Sequence, residues 1–204
     1  PQDVGLLAGI GRAFVKVRRK PKVGIVSVGN ELIKLSREEP SRIANNYALI
    51  FSGLVWELGA TPIPMGIIPD DVVKIRGKIS EALEETDLVA TIGGCSVGQR
   101  DFVPEAIDSL GEPGIVFHGV KLSPGKVIGA GIIDNKPVIM LPGHIVSAYA
   151  GFYLFLAPLI AKLLGISQDA LFPVIKAKMV DHVKAKPTAS FLRIRLSSID
   201  GEFL

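Results

Sequence analysis

The sequence predicts an α/β protein in which helices cover both faces of a mostly parallel sheet, followed by a small β domain. Short apolar runs, typical of buried strands, alternate with amphipathic helix patterns at the spacing of βαβ units. Of the 204 residues, 48% are hydrophobic, which is enough for a sizeable core. After Gly165 the pattern changes to the alternation of antiparallel strands.

These changes divide the chain into three parts. We assign residues 1–21 to a linker segment, residues 22–166 to the α/β domain and residues 167–204 to part of a β domain. In the linker, Val4–Ile10 predicts the end of a helix and Phe14–Val17 a short strand. No aromatic-rich pattern is interleaved with its basic residues, so we expect a solvated segment and no nucleic-acid partner.

The first half of the α/β domain contains three predicted strands and two helices. The strands are Lys22–Val28, Thr61–Ile68 and Leu88–Ile92, and a helix with a 3.6-residue period spans Ile43–Gly59. Asp70 is the predicted N-cap of the second helix. The apolar stripe of that helix is Val72, Val73, Ile75, Ile79, Ala82 and Leu83.

The second half contains a short helix, a strand, a hairpin and a long helix. In order they are Glu105–Leu110, Gly114–Gly119, the pair Val127–Ile133 and Pro137–Leu141 around Asp134–Asn135, and a helix from about His144 to Leu164. Phe172–Met179 and Phe191–Leu196 are predicted to be antiparallel strands of the β domain.

The long helix allows two interpretations. Ile145–Leu164 is nearly all apolar and has the length of a bilayer span, but a buried helix of an α/β protein is also apolar all round. We favour the buried helix and expect no membrane association. Because its own sheet covers only one side, we expect a homodimer to cover the rest.

A glycine-rich loop follows the strand Leu88–Ile92. Gly93, Gly94 and Gly98 lie within six positions, together with Ser96 and Asp101, and a helix follows. A strand, a glycine-rich turn and a helix start together form an anion-binding geometry. The alternative is a tight connection without a ligand.

Three carboxylates follow strands whose carboxyl ends meet at one edge of a parallel sheet. They are Glu31, Asp70 and Asp101. Clustered carboxylates at a strand mouth indicate a magnesium ion with a phosphate ligand. Asp70 taken alone is explained by its capping role.

Other interpretations of this region remain open. Gly94–Gly98 matches the G-x-S-x-G elbow of serine hydrolases, with Ser96 as nucleophile and His118 or His144 as base, although no helix follows Ser96 directly. Cys95, the only cysteine, is a reactive thiol or a packing residue, and a single cysteine fits a reducing, cytoplasmic compartment. Lys126, on a Pro-Gly turn, meets a phosphate or is an exposed lysine.

Five stretches resemble the molybdopterin molybdenumtransferase family in order and spacing. They are Ser27–Leu32, Gly66–Asp71, Gly93–Gly98 with Asp101, Pro124–Lys126, and Leu141–Gly143 with Ser147–Ala148. The resemblance implies an α/β molybdopterin-binding domain followed by a small β-barrel. It also implies a homodimeric enzyme that uses Mg²⁺ to insert molybdate or tungstate into adenylylated molybdopterin, with release of AMP.

The resemblance also implies residue roles. Glu31, Asp70 and Asp101 become the acidic catalytic residues, and Asp70 and Asp101 the metal ligands. The implied cofactor-binding residues are Gly29, Gly93, Gly94, Ser96, Gly98, Gly125, Lys126, Pro142, Gly143, Ser147 and Arg193.

The chain departs from the family pattern at five positions, which are Val28, Ser123, Val127, His144 and Ile145. Ser123 replaces a common lysine, so the anion pocket has one cation fewer. A second hypothesis is therefore a paralogue that binds a pterin or nucleotide without turnover.

Overall fold

The computed structural model describes residues 2–33, 43–95, 102–167, 172, 174–184, 187–199 and 202–203. The helices are α1 (Gln2–Gly9), α2 (Tyr47–Glu57), α3 (Val72–Glu85), α4 (Phe102–Asp108), α5 (Ile145–Gly151) and α6 (Ala157–Leu164). A π-helical segment, Phe152–Leu156, joins α5 to α6. The strands are β1 (Lys22–Val28), β2 (Leu32–Ile33), β3 (Ile43–Ala44), β4 (Thr61–Ile68), β5 (Leu88–Ile92), β6 (Pro113–His118), β7 (Leu122–Ser123), β8 (Gly129–Ile133), β9 (Lys136–Leu141), β10 (Ala189–Ser190), β11 (Ser198–Ile199) and β12 (Glu202–Phe203).

Six strands form the central sheet, in the order β4-β1-β5-β9-β8-β6. The four strands β4, β1, β5 and β9 are parallel, whereas β8 is antiparallel to both of its neighbours. This is the predicted mostly parallel sheet. The carboxyl ends of β1, β4, β5 and β9 therefore meet at one edge.

Helices cover both faces of the sheet, so the predicted three-layer arrangement is confirmed. On one face, α2 and the helix formed by α5, the π-helical segment and α6 pack on β1, β5 and β9. On the other face, α3 and α4 pack on the same strands. Alternate residues of each strand enter the two cores: Val23 and Ile25 belong to the first, and Val26 and Val28 to the second.

In the first half, one predicted helix has different limits, whereas the predicted strand Thr61–Ile68 has the limits that the sequence indicates. The helix predicted from Ile43 begins at Tyr47, and near its start the Asn45 side chain accepts a hydrogen bond from the Ala48 amide at 3.4 Å. Residues 43–44 instead pair with β2. The strand β4 tolerates Pro62 and Pro64 because it lies at the edge of the sheet.

The predicted cap of α3 is wrong by one residue. Asp71, in an extended conformation, is the N-cap, and its Oδ1 accepts a hydrogen bond from the Lys74 amide at 2.9 Å. Asp70 is therefore not needed for capping. The apolar stripe is also narrower than predicted, because Val73 is 77% exposed while Ile75 and Ile79 are buried.

The predicted hairpin and long helix are confirmed. Asp134 and Asn135 have φ of 48° and 61°, the conformation of a tight two-residue hairpin turn between β8 and β9. By length and composition alone, Ile145–Leu164 is long and apolar enough to cross a membrane, and 44% of its most apolar window is buried in the structure. Phe152 and Leu156 are fully buried against the sheet, which is the packing expected of a core helix.

The two ends of the chain differ most from the prediction. The linker contains α1, as predicted, but Phe14–Val17 forms no strand and pairs with none of the described strands, and Phe14 is 95% exposed. Residues 174–179 and 191–196 are not strands, so these two predictions are wrong. The described strands after residue 166 are β10, which pairs with β7, and the pair β11–β12. The assignment of residues 167–204 to a separate β domain stays a prediction.

Candidate functional site

A cavity of about 650 Å³ opens at the carboxyl-end edge of the parallel strands. Its walls come from the residues that follow β1, β4, β5 and β9, and from the β7 turn and the start of α5. The residues that line it are Val28, Gly29, Glu31, Asp70, Gly93, Gly94, Cys95, Phe102, Ser123, Pro124, Gly125, Lys126, Val127, Pro142, Gly143, His144 and Ser147.

Gly93 and Gly94 allow β1 and β5 to approach each other at the floor of this cavity. Both have positive φ, of 91° and 67°. A Cβ at position 93 would lie 2.2 Å from the Val28 carbonyl oxygen, and one at position 94 would lie 2.7 Å from a Val28 methyl group. Only glycine fits such a backbone, so the double glycine has a steric reason that is independent of any role in binding.

Glu31 lies over the end of β1. It belongs to a turn that is closed by a hydrogen bond from the Leu32 amide to the Gly29 carbonyl at 3.3 Å. A Cβ on Gly29 would lie 2.7 Å from both Glu31 carboxylate oxygens. The glycine therefore makes room for the carboxylate at the cavity wall. Within the described ranges, Glu31 forms no salt bridge.

Asp70 lies on the neighbouring loop, after β4. Its Oδ2 accepts a hydrogen bond from the backbone N–H of Asn30, and its own backbone N–H donates to Asn30 Oδ1, both at 3.2 Å. Two loops that carry acidic side chains are thus joined directly. Among the residues that the structure describes, no donor bonds to the other carboxylate oxygen, Asp70 Oδ1.

The opposite wall carries a positive charge and a helix start. The Val120 amide donates to the Lys126 carbonyl at 2.9 Å, and the Ile128 amide to the Gly125 carbonyl at 3.1 Å, so backbone bonds shape the turn that presents Lys126. The N-cap of α5 is His144, which is extended and makes no side-chain capping bond. The first amides of a helix without such a bond are available to an anion, and Ser147 adds a hydroxyl one turn further on.

Cys95 lines the cavity but is 1% exposed. Its Sγ donates a hydrogen bond to the Leu141 carbonyl at 3.3 Å. It also belongs to the core between the sheet and α3 and α4. This environment favours the packing interpretation of the thiol.

The structure brings ten of the predicted site residues into one cavity lining. They are Gly29, Glu31, Asp70, Gly93, Gly94, Gly125, Lys126, Pro142, Gly143 and Ser147. Arg193 does not line this cavity and is exposed. Ser96, Gly98 and Asp101 lie outside the described residues, so their roles stay predictions.

Sequence reasoning missed two features of the site. Phe102 lines the cavity from the first residue of α4, and Asn30 bonds to Asp70. The sequence carries a signal for the second, because Asn30 and Asp70 occupy corresponding positions after two strands that lie side by side in the sheet. Their pairing requires knowledge of the strand order.

The serine-hydrolase alternative has no geometric support. Its nucleophile, Ser96, is not among the described residues. Of the two candidate bases, His144 lines the cavity and His118, at the end of β6, does not.

Comparisons with known proteins agree on one family. The family model described as "Probable molybdopterin binding domain" matches residues 24–162. The molybdopterin molybdenumtransferase of Bacillus subtilis is 33% identical over 205 residues, which cover 100% of this chain and 47% of that protein. The enzyme of the same name from Haemophilus influenzae is 34% identical over 169 residues, which cover 82% of this chain and 41% of that protein.

A solved structure leads to the same family. The molybdopterin biosynthesis MoeA protein of Pyrococcus horikoshii has a TM-score of 0.73 and 34% identity, over 80% of this chain and 40% of that one. The chain spans about half the length of the curated relatives it matches. Its α/β domain, with the cavity at the strand ends, lies almost entirely within the matched region, and the chain belongs to the molybdopterin-binding domain family.

Proposed function

We propose that this chain is the molybdopterin-binding part of a molybdopterin molybdenumtransferase. Such an enzyme inserts molybdate, or tungstate, into adenylylated molybdopterin and releases AMP. One observation carries the proposal: residues from the five stretches that resemble this family, far apart along the chain, line a single cavity with an acidic wall and a basic wall.

The acidic wall fits a magnesium ion. Glu31 and Asp70 supply carboxylate oxygens, which are the ligands that Mg²⁺ prefers, and Mg²⁺ often takes one or two carboxylates together with substrate phosphate. Among the described residues no group of three or more metal-ligating side chains forms, so the substrate and Asp101 are expected to complete the site. A bound magnesium ion would offset the negative charge on the phosphate oxygens.

The basic wall fits the phosphates and molybdate. Lys126 supplies a cation, and the start of α5 supplies amide N–H groups at the positive end of a helix. Ser147 can donate its hydroxyl to an oxyanion. Together these groups would hold the anionic end of the substrate.

We further propose a cytoplasmic homodimer. The structure changes the argument for it, because α2 already covers part of the long helix through contacts of Phe51 with Tyr149 and Phe152. The uncovered apolar surface includes α2 itself, where Leu49 is 64% and Trp56 70% exposed. Apolar stripes of this kind commonly mark an interface. Sedimentation equilibrium of the full-length protein tests this, and a monodisperse monomer would contradict it.

A second candidate function is binding without turnover. It is favoured by the position of four departures from the family pattern, Val28, Ser123, Val127 and His144, all of which line the cavity. A cavity that lacks one cation would hold the substrate's phosphates while handling molybdate less well.

A direct assay separates the two candidates. The full-length protein is mixed with adenylylated molybdopterin, magnesium and molybdate, and released AMP is measured against a reaction without protein. Molybdate-dependent release supports the enzyme. Release no faster than the control, with tight binding of the adenylylated pterin, supports the binding paralogue.

A further inference from the structure

The hydrogen-bond ladder between β1 and β4 continues one residue beyond the end of β1. The register pairs Val28 with Ile68, and the Gly29 amide donates to the Ile68 carbonyl at 3.0 Å. One residue later the backbones no longer pair with each other. At that step, two backbone-to-side-chain hydrogen bonds join Asn30 and Asp70. The backbone N–H of Asn30 donates to Asp70 Oδ2, and the backbone N–H of Asp70 donates to Asn30 Oδ1, both at 3.2 Å.

This reciprocal pair has no role in capping α3. Asp71 supplies the capping oxygen to the Lys74 amide, so Asp70 is not held by the helix. Its position depends on the loop after β4 and on the two bonds with Asn30. Asn30 itself is exposed and does not line the cavity, whereas the residues on both sides of it, Gly29 and Glu31, do.

The hydrogen bond from Asn30 uses only one of the two oxygens of the Asp70 carboxylate. Oδ2 is occupied by the Asn30 amide, which leaves Oδ1 to face a ligand. The same contact fastens the turn that carries Glu31 to the loop that carries Asp70. Two carboxylates on separate loops are therefore presented as one unit before any ligand arrives.

We infer that Asn30 is a positioning residue that orients the Asp70 carboxylate, and with it the Glu31 turn, for a divalent cation. This rests on the proposed function, because the cation is the magnesium ion proposed there. An ordered carboxylate loses less conformational entropy on binding, and ordering one side chain costs an amount that corresponds to about 2- to 10-fold in affinity. Removing the Asn30 side chain keeps the bond from the Asn30 backbone N–H to Asp70 Oδ2 but removes the acceptor that holds the Asp70 backbone, so part of that cost returns to the binding step.

The test uses three variants of the full-length protein and Mn²⁺ alone as the probe. Asn30→Ala removes the acceptor, and Asn30→Gln keeps an uncharged amide but displaces its oxygen by one methylene. Asn46→Ala is the matched control, since Asn46 is exposed, precedes a helix and makes no side-chain capping bond. Mn²⁺ affinity is read from the signal of the free ion in electron paramagnetic resonance.

We expect both Asn30 variants to weaken Mn²⁺ binding by about 2- to 10-fold, and the Asn46 control to match the wild type. A second readout needs no metal. Hydrogen exchange of the Asp70 amide, followed by NMR, should become about 2- to 10-fold faster in both Asn30 variants, and Asn30→Asp, which retains the acceptor, should preserve it. Asn30→Asp is left out of the Mn²⁺ titration because its new charge attracts the ion.

The outcomes are distinguishable. If the wild type binds Mn²⁺ and Asn30→Ala binds it equally well, or if exchange at Asp70 is unchanged, Asn30 is not a positioning residue and the metal site stands. If the wild type binds no Mn²⁺, the metal site and this inference both fall. Weaker binding in the Asn46 control as well would show a general loss of stability and would also overturn the inference.

Discussion

The two edges of the same parallel sheet use their polar groups in opposite ways. At the amino-end edge, the Asp87 carboxylate accepts hydrogen bonds from Arg19 Nη1 at 2.6 Å and from the Lys22 amide at 2.7 Å. Thr86 Oγ1 donates to the Ala82 carbonyl at 2.6 Å. At the carboxyl-end edge, Glu31 and Lys126 form no salt bridge with any described residue and face the cavity instead.

The difference separates polar side chains that stabilise the fold from those that we propose to bind a ligand. Pairing at the amino-end edge fastens the linker to β1 and β5, so it serves the fold. At the other edge, Glu31 and Lys126 have no such partner among the described residues, which supports their proposed roles in binding, and the helix start there would add to the attraction for anions. Substitutions at the two edges should therefore have different signatures.

The largest effect on stability should come from Gly93, which lies at the carboxyl-end edge but is needed by the fold. Gly93→Ala places a Cβ 2.2 Å from the Val28 carbonyl at a φ of 91°, and backbone cannot yield as a side chain would. We expect a loss of about 3 kcal/mol or more in the free energy of unfolding, measured by urea denaturation. The control is Gly77→Ala in α3, where a Cβ meets no atom within 4 Å, and a small gain in stability is expected.

Asp70→Asn tests whether a carboxylate at the carboxyl-end edge serves the reaction more than it serves stability. The Asn side chain keeps an oxygen for the Asn30 backbone N–H but removes the negative charge of the proposed metal ligand. We expect molybdate-dependent AMP release to fall about 100-fold with a change in Tm below about 2 °C.

Its neighbour supplies the contrast. Asp71→Ala should cost about 1 kcal/mol of stability, because it removes the cap of α3, and should leave AMP release close to that of the wild type. A large loss of stability in Asp70→Asn with normal release would reverse the assignment of these two adjacent carboxylates.

Lys126→Gln should have a smaller effect on binding. Loss of the cation should weaken AMP binding, measured by calorimetry, by about 5- to 10-fold at low salt. The difference from the wild type should shrink as salt is added, because salt screens the attraction. Lys121→Gln, on the same loop but outside the cavity lining, is the control. Equal weakening in both variants would indicate a general charge effect.

The smallest effect is expected at the amino-end edge. The hydrogen bond from Arg19 lowers the pKa of Asp87 despite partial burial of the carboxyl. A carboxyl with a lowered pKa contributes stability above its unfolded pKa of about 3.9, and that contribution disappears as the pH falls through the folded pKa. Asp87→Asn should lower Tm by about 1 to 3 °C at pH 7 and by less near pH 3.

Two observations would contradict this last prediction. One is a Tm difference that grows as the pH falls. The other is an equal change in Glu84→Gln, an exposed position on α3 for which the described residues offer no ion pair. AMP binding by Asp87→Asn should be unchanged, which separates the two edges.

The same contrast explains how much of the fold followed from the sequence. Apolar runs predicted the six strands of the central sheet and the helices, because the spacing of apolar residues along the chain indicates which side chains are buried. The hairpin at Asp134–Asn135 followed from turn chemistry that acts within four residues. Prediction was wrong for Phe14–Val17 and for residues 174–179 and 191–196, because a strand exists only where another strand lies beside it.

By itself the sequence determined which side chains are available at the strand ends, since Gly29 follows β1 directly, Gly93 follows β5 directly, and Asp70 lies two residues beyond β4. Only the tertiary structure decided which of them meet. The strand order brings β1 beside β4, so Asn30 reaches Asp70, and it leaves Asp71 rather than Asp70 to cap α3. The physical reason is that pairing of distant segments depends on the packing of the whole sheet, which no local pattern encodes.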